Sequence, residues 1–174
     1  MTGTAPHLVL IGPPGAGKTR LGKRVARLIG ADFVDTDRRI VAAYGPIADL
    51  FAAKGEAHFR RLERIQVARA LSEEAVVSLG GGAVLDPDTQ ADLVGQRVVL
   101  VTVRPDAVEA RIAGSTRPLL AGGIDAWKTL AEARREIYER LASKTWDTSD
   151  RPIDQIAAEI AAWVSGHTAA EQPR

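Results

Sequence analysis

The chain contains no cysteine, which excludes disulfides, thiolate nucleophiles and cysteine-ligated zinc, and fits a reducing compartment. No charge of one sign dominates. The 23 basic and 22 acidic residues leave a formal net charge of +1, so the total predicts no polyanionic partner, neither nucleic acid nor a membrane surface. No apolar run approaches the roughly 20 residues that span a bilayer, and Met1 to Pro6 has no charged region ahead of an apolar core. The expectation is a soluble, untargeted, cytoplasmic protein. No linker, low-complexity tract or repeat divides the 174 residues, a length that suits one α/β domain but not two catalytic ones. One site is expected, in a single domain over 1–165 followed by a polar tail, 166–174, that need not be ordered.

Short apolar runs at 7–11, 32–34, 75–79, 97–103 and 144–146 read as strands. Between them, apolar residues recur at helical spacing over 18–28, 55–72, 104–112, 124–141 and 153–165, and a helix should also follow Asp35-Thr36-Asp37, capped by Thr36 or Asp37. Strands alternating with helices imply a central parallel sheet of about five strands covered on both faces. In such sheets ligands bind outside the carboxyl ends of the strands, where Gly12, Asp35 and Gly80 would all lie.

Gly12-Pro13-Pro14-Gly15-Ala16-Gly17-Lys18-Thr19 matches G-x-x-x-x-G-K-[ST] in full, directly after a strand and opening a helix. Each residue type answers a chemical need. The glycines let the chain at Pro14 turn so that backbone N–H groups from Gly15, Ala16 and Gly17 onward curl around phosphate oxygens, Lys18 neutralises β and γ oxygens, and the Thr19 hydroxyl ligates Mg²⁺. The helix N-terminus adds partial positive charge. The motif states which ligand is held, not what is done with it. Asparagine is absent from the chain, so the Asn-Lys-x-Asp signature by which switch GTPases read guanine is missing, which points to ATP.

Further along, Asp35 and Asp37 flank Thr36; an extended chain would point both to one side, and a helix cap explains the triplet equally well. Arg60 and Glu63 share a helix face, either as a solvated ion pair or as part of a site. Gly80-Gly81-Gly82 follows an apolar strand and lets backbone approach a small ligand closely, or makes a plain turn. The stretch 112–124 carries Gly114, Pro118, Gly122 and Gly123 near Arg111 and Arg117, the composition of a basic lid as well as of an ordinary loop.

Taken jointly and in order, these pieces resemble the shikimate kinases of aromatic amino-acid biosynthesis, from Leu8 to about Val164. The phosphate loop, the Asp35-Thr36-Asp37 triplet, Gly55-Glu56-Ala57-His58-Phe59-Arg60, Gly80-Gly81-Gly82, Arg117-Pro118-Leu119-Leu120 and the pair Arg134 and Tyr138 all look like that family's motifs. The resemblance implies a three-layer P-loop NTPase fold with a mobile lid and Mg²⁺-dependent transfer of phosphate from ATP to the 3-hydroxyl of shikimate. It implies that Lys18, Asp37 and Arg117 are catalytic, that Arg111, Arg117 and Arg151 join the phosphate loop in holding ATP, and that Thr19 and Asp35 stand near the metal. The acceptor, a hydroxylated carboxylate, would meet Asp37, Phe59, Arg60, Glu63, Gly80, Gly81, Gly82 and Arg134, in a region of about 35–62 plus these later positions. The strand before Gly80 lacks the acid of a Walker B strand, leaving Asp35 as the carboxylate nearest Mg²⁺. A monomer is expected. Two other readings stand beside this one: a kinase for gluconate or a nucleotide, and an ATP-dependent regulatory module without phosphotransfer.

Overall fold

Five parallel strands form one sheet in the order β2-β3-β1-β4-β5. The computed structural model describes the backbone of residues 4–170 and side chains as far as Gly166. β1 (Leu8–Ile11) is central and wholly buried between β3 (Ala75–Ser78) and β4 (Val98–Thr102). Its apolar run serves two faces at once. Leu8 and Leu10 join the core beneath α1 (Lys18–Ile29) and α7 (Ile153–Ala170), whereas Val9 and Ile11 join the core beneath α3 (Ile47–Ala70) and α6 (Gly123–Leu141). β2 (Asp32–Asp35) and β5 (Lys144–Asp147) close the edges.

The expected strand–helix alternation is present, with three differences of local cause. First, the extended chain stops at Asp35 instead of running through Asp37. Asp35, rather than Thr36 or Asp37, caps α2 (Thr36–Tyr44), its carboxylate accepting the Arg38 N–H at 3.2 Å. Second, α3 begins at Ile47 and is broken at Gly55, which adopts φ 80°, ψ 171°, a conformation open to glycine alone at no steric cost. Third, a short α4 (Pro87–Asp92) is added, announced by Asp86, which accepts the Thr89 N–H at 2.9 Å, and by Pro87 in its first turn. α5 (Pro105–Ile112) then leads into the stretch that holds Arg117 and a 3-10 turn, Pro118–Leu120. α7 runs to Ala170, past the 165 at which the sequence pattern ended the helix; residues 171–174 lie outside those described.

Candidate active site

A cleft of about 630 Å³ opens at the carboxyl ends of β1, β2 and β3. On one side the chain leaves β1 and turns through Gly12, at φ 141°, to Gly17, at φ 97°, before α1 starts at Lys18. Lys18 is buried, and its Nζ donates to the carbonyls of Gly12 at 2.6 Å and Pro13 at 2.9 Å. Burial drives its pKa down to about 8, against the pull of Asp37 and Asp35. Thr19 Oγ1 donates to Asp35 Oδ2 at 2.6 Å, so a hydroxyl and a carboxylate from two elements meet at the cleft wall. Among the described residues no three His, Cys, Asp or Glu gather as a metal cage. The Thr19–Asp35 pair therefore fits a Mg²⁺ ion that draws its other ligands from phosphate oxygens and water.

The opposite side is built from α2, α3, α6 and the turn after β3. Asp37 lies in the first turn of α2, and its Oδ1 is buried with no hydrogen-bond partner among the described residues. Burial, reinforced by Asp35, holds its pKa above the usual carboxylate range. A buried acceptor left unpaired costs about 1–3 kcal/mol and is suited to a ligand hydroxyl. Gly80 permits this arrangement, because a Cβ there would sit 2.5 Å from Asp37 Oδ1 and 2.9 Å from Glu63 Oε2. Gly82 does the same for Arg60, whose guanidinium occupies the space a side chain would take.

Arg60 donates to Glu63 at 2.7 Å and to Glu56 at 3.2 Å, and its guanidinium lies 5.3 Å from the centre of the Phe59 ring. Burial opposes its charge, but the two glutamates outweigh that and raise its pKa. Burial raises the pKa of Glu63, which Arg60 counters. Arg134, on α6, is buried and faces the same cleft. Phe59 and Gly81 line it too, and Arg117 reaches it from the 3-10 turn side.

Ala16 turns its side chain into the core beneath α1, and its backbone stays in the phosphate loop. Two predicted positions, Arg111 and Arg151, do not line the cleft. Arg111 donates to the carbonyls of Gly15 at 3.3 Å and Thr148 at 2.9 Å, bracing the phosphate loop from behind. Arg151 is paired with Glu159 on the surface. The structure also adds residues that spacing did not single out. Buried Thr36 donates to Ser78 O at 3.4 Å and accepts the Gly80 N–H at 3.2 Å, tying the acidic triplet to the glycine turn. Thr148 Oγ1 donates to Ala16 O at 2.6 Å. Both pairings join segments far apart in the chain, and no local pattern announces them.

The family model for shikimate kinase matches residues 14–165. A shikimate kinase of Salinispora tropica is 49% identical over 162 residues, covering 91% of this chain and 97% of that protein. One from Streptomyces coelicolor is 44% identical, covering 88% and 92%. Among solved structures, shikimate kinase from Acinetobacter baumannii in complex with shikimate superposes with a TM-score of 0.87 at 28% identity, covering 94% of each chain.

Proposed function

The chain belongs to the shikimate kinase family, and from that premise we propose that it transfers the γ-phosphoryl group of ATP to the 3-hydroxyl of shikimate, a step of chorismate and aromatic amino-acid biosynthesis. The observation that carries the residue roles is one cleft lined by Lys18, Asp37, Arg60, Arg117 and Arg134. The phosphate loop is the donor half. There Lys18 exchanges two backbone carbonyls for β and γ oxygens, and a cation held through Thr19 and Asp35 would neutralise further phosphate charge.

Arg60 and Arg134 form the acceptor half, offering planar forks to a carboxylate. The unpaired Oδ1 of Asp37 accepts the hydrogen of the attacking hydroxyl. As the oxygen–phosphorus bond forms and the bond to the β,γ-bridging oxygen breaks, the hydroxyl proton passes to Asp37. Positioning and charge carry most of such transfers, so Asp37 orients first and serves as base second. Arg117 neutralises charge on the moving phosphoryl group. Arg111 and Arg151 would touch the nucleotide through the guanidinium faces and N–H groups that their contacts with Gly15, Thr148 and Glu159 leave available. No helix among the described residues is long and apolar enough to cross a membrane. The large exposed apolar side chains include Leu28 on α1, Val41 and Tyr44 on α2 and Ile65 on α3. We further propose that the protein acts as a cytoplasmic monomer.

Coupled detection of ADP with purified protein, Mg²⁺ and ATP tests the reading. Shikimate-dependent ADP release at one equivalent per phosphorylated product is expected. Turnover of gluconate with none of shikimate would refute it.

A further inference from the structure

α6 aligns three groups along one face, because residues 127, 134 and 138 are separated by seven and four positions, and the middle one, Arg134, lines the reaction cleft. Near the start of the helix, the buried Trp127 donates from Nε1 to the Pro14 carbonyl at 2.8 Å, inside the phosphate loop. Near its end, the buried Tyr138 hydroxyl donates to the Gly81 carbonyl at 2.5 Å, inside the glycine turn. Arg134 lies between them. The two aromatic residues are eleven positions apart, roughly 16 Å at the helical rise of 1.5 Å per residue.

We infer that Trp127 and Tyr138 are positioning residues, which make α6 a rigid spacer fixing the donor loop relative to the acceptor turn. The inference rests on the proposed reaction and adds what holds its two halves in register. The Gly81 carbonyl shares a planar peptide with the Gly82 N–H, so Tyr138 also fixes the direction in which that donor faces the cleft. Burial pushes the Tyr138 phenol up to about 12, so it remains a donor throughout the working pH range. Neither side chain lies between the two substrates. Each holds a backbone carbonyl of a loop that does, and a shift of 1 Å in such a loop can cost a factor of about 100 in rate.

Tyr138→Phe removes one oxygen and leaves the core shape intact, and Trp127→Phe removes the indole donor. Each variant should lower kcat about tenfold with KM for ATP and for shikimate within about twofold of wild type, the signature of lost alignment rather than lost binding. Looser alignment should also admit water, so that ADP is released in excess over phosphorylated shikimate. A wild-type kcat in Tyr138→Phe overturns the inference. So does a rise in KM that accounts for the whole loss, or strict one-to-one coupling at reduced kcat. If Trp127→Phe fails to fold, Tyr138→Phe decides alone. Absence of shikimate turnover in the wild-type control would instead count against the proposed reaction.

Discussion

The Thr19 hydroxyl donates to Asp35 Oδ2 across 2.6 Å, joining the first turn of α1 to the end of β2. The same carboxylate caps α2 through Oδ1, so Asp35 has one oxygen for structure and one turned to the cleft. Asp35→Asn keeps a capping oxygen but removes the charge. The Mg²⁺ concentration giving half-maximal rate should rise about tenfold, in line with changes beside a metal, while shikimate affinity by calorimetry stays as in wild type. An unchanged Mg²⁺ dependence would place the cation elsewhere.

Asp37 trades stability for function. Burial and Asp35 hold its folded pKa above the unfolded one, so its favourable contribution exists at low pH and is lost as pH rises through the folded pKa. At neutral pH its ionised form is a net cost. Asp37→Asn should therefore raise the Tm of the ligand-free protein by about 2–4 °C and lower kcat by about 100-fold or more. Calorimetric melting and steady-state rates measure the two effects, and a lower Tm would contradict the burial argument.

The pH dependence follows from Lys18. With its pKa brought down to about 8 by burial, the free enzyme loses this positive charge as pH rises through that value, and kcat/KM for ATP should fall there. Bound phosphates favour the charged form, so the basic limb of kcat should lie higher. Between about 8 and the ordinary lysine range the unfolded chain binds the additional proton, so for this group folding stability rises with pH. Coincident basic limbs for kcat and kcat/KM would rule Lys18 out as the titrating group.

Gly82 and Gly12 separate binding from folding. A methyl at Gly82 would meet only the end of the flexible Arg60 side chain. Gly82→Ala should fold, displace that guanidinium and raise the KM for shikimate about tenfold, the loss expected of one charged hydrogen bond, with ATP affinity retained. A methyl at Gly12, where φ is 141°, would meet the Val101 carbonyl, and backbone cannot swing aside. Gly12→Ala should lower Tm by about 10 °C. Equal Tm losses in both variants would contradict this division.

The phosphate loop was legible because its chemistry is contiguous: eight successive residues supply the turn, the charge and the hydroxyl, with a strand before them and a helix after. The glycine turn and Arg60 were legible as types, but their mutual fit was not. Whether Gly82 is a plain turn or the seat of a guanidinium depends on α3 crossing above it. Arg111 shows the opposite case. Its position fits a nucleotide contact, and in the folded chain its guanidinium is engaged with Gly15 and Thr148, the latter 37 residues away.

By itself the sequence determined the parallel α/β class and the phosphate-loop motif between a strand and a helix, since apolar periodicity and a contiguous motif are local properties, while the acceptor groups came only from a family resemblance. Tertiary structure alone decided that Asp35 caps α2 while Asp37 keeps an unpaired buried oxygen, that Gly55 breaks α3, and that Trp127 and Tyr138 join one helix to both loops. The physical reason is reach. A side chain's hydrogen-bond partner across the sheet is set by how helices pack on it, and residue spacing along the chain does not encode that packing.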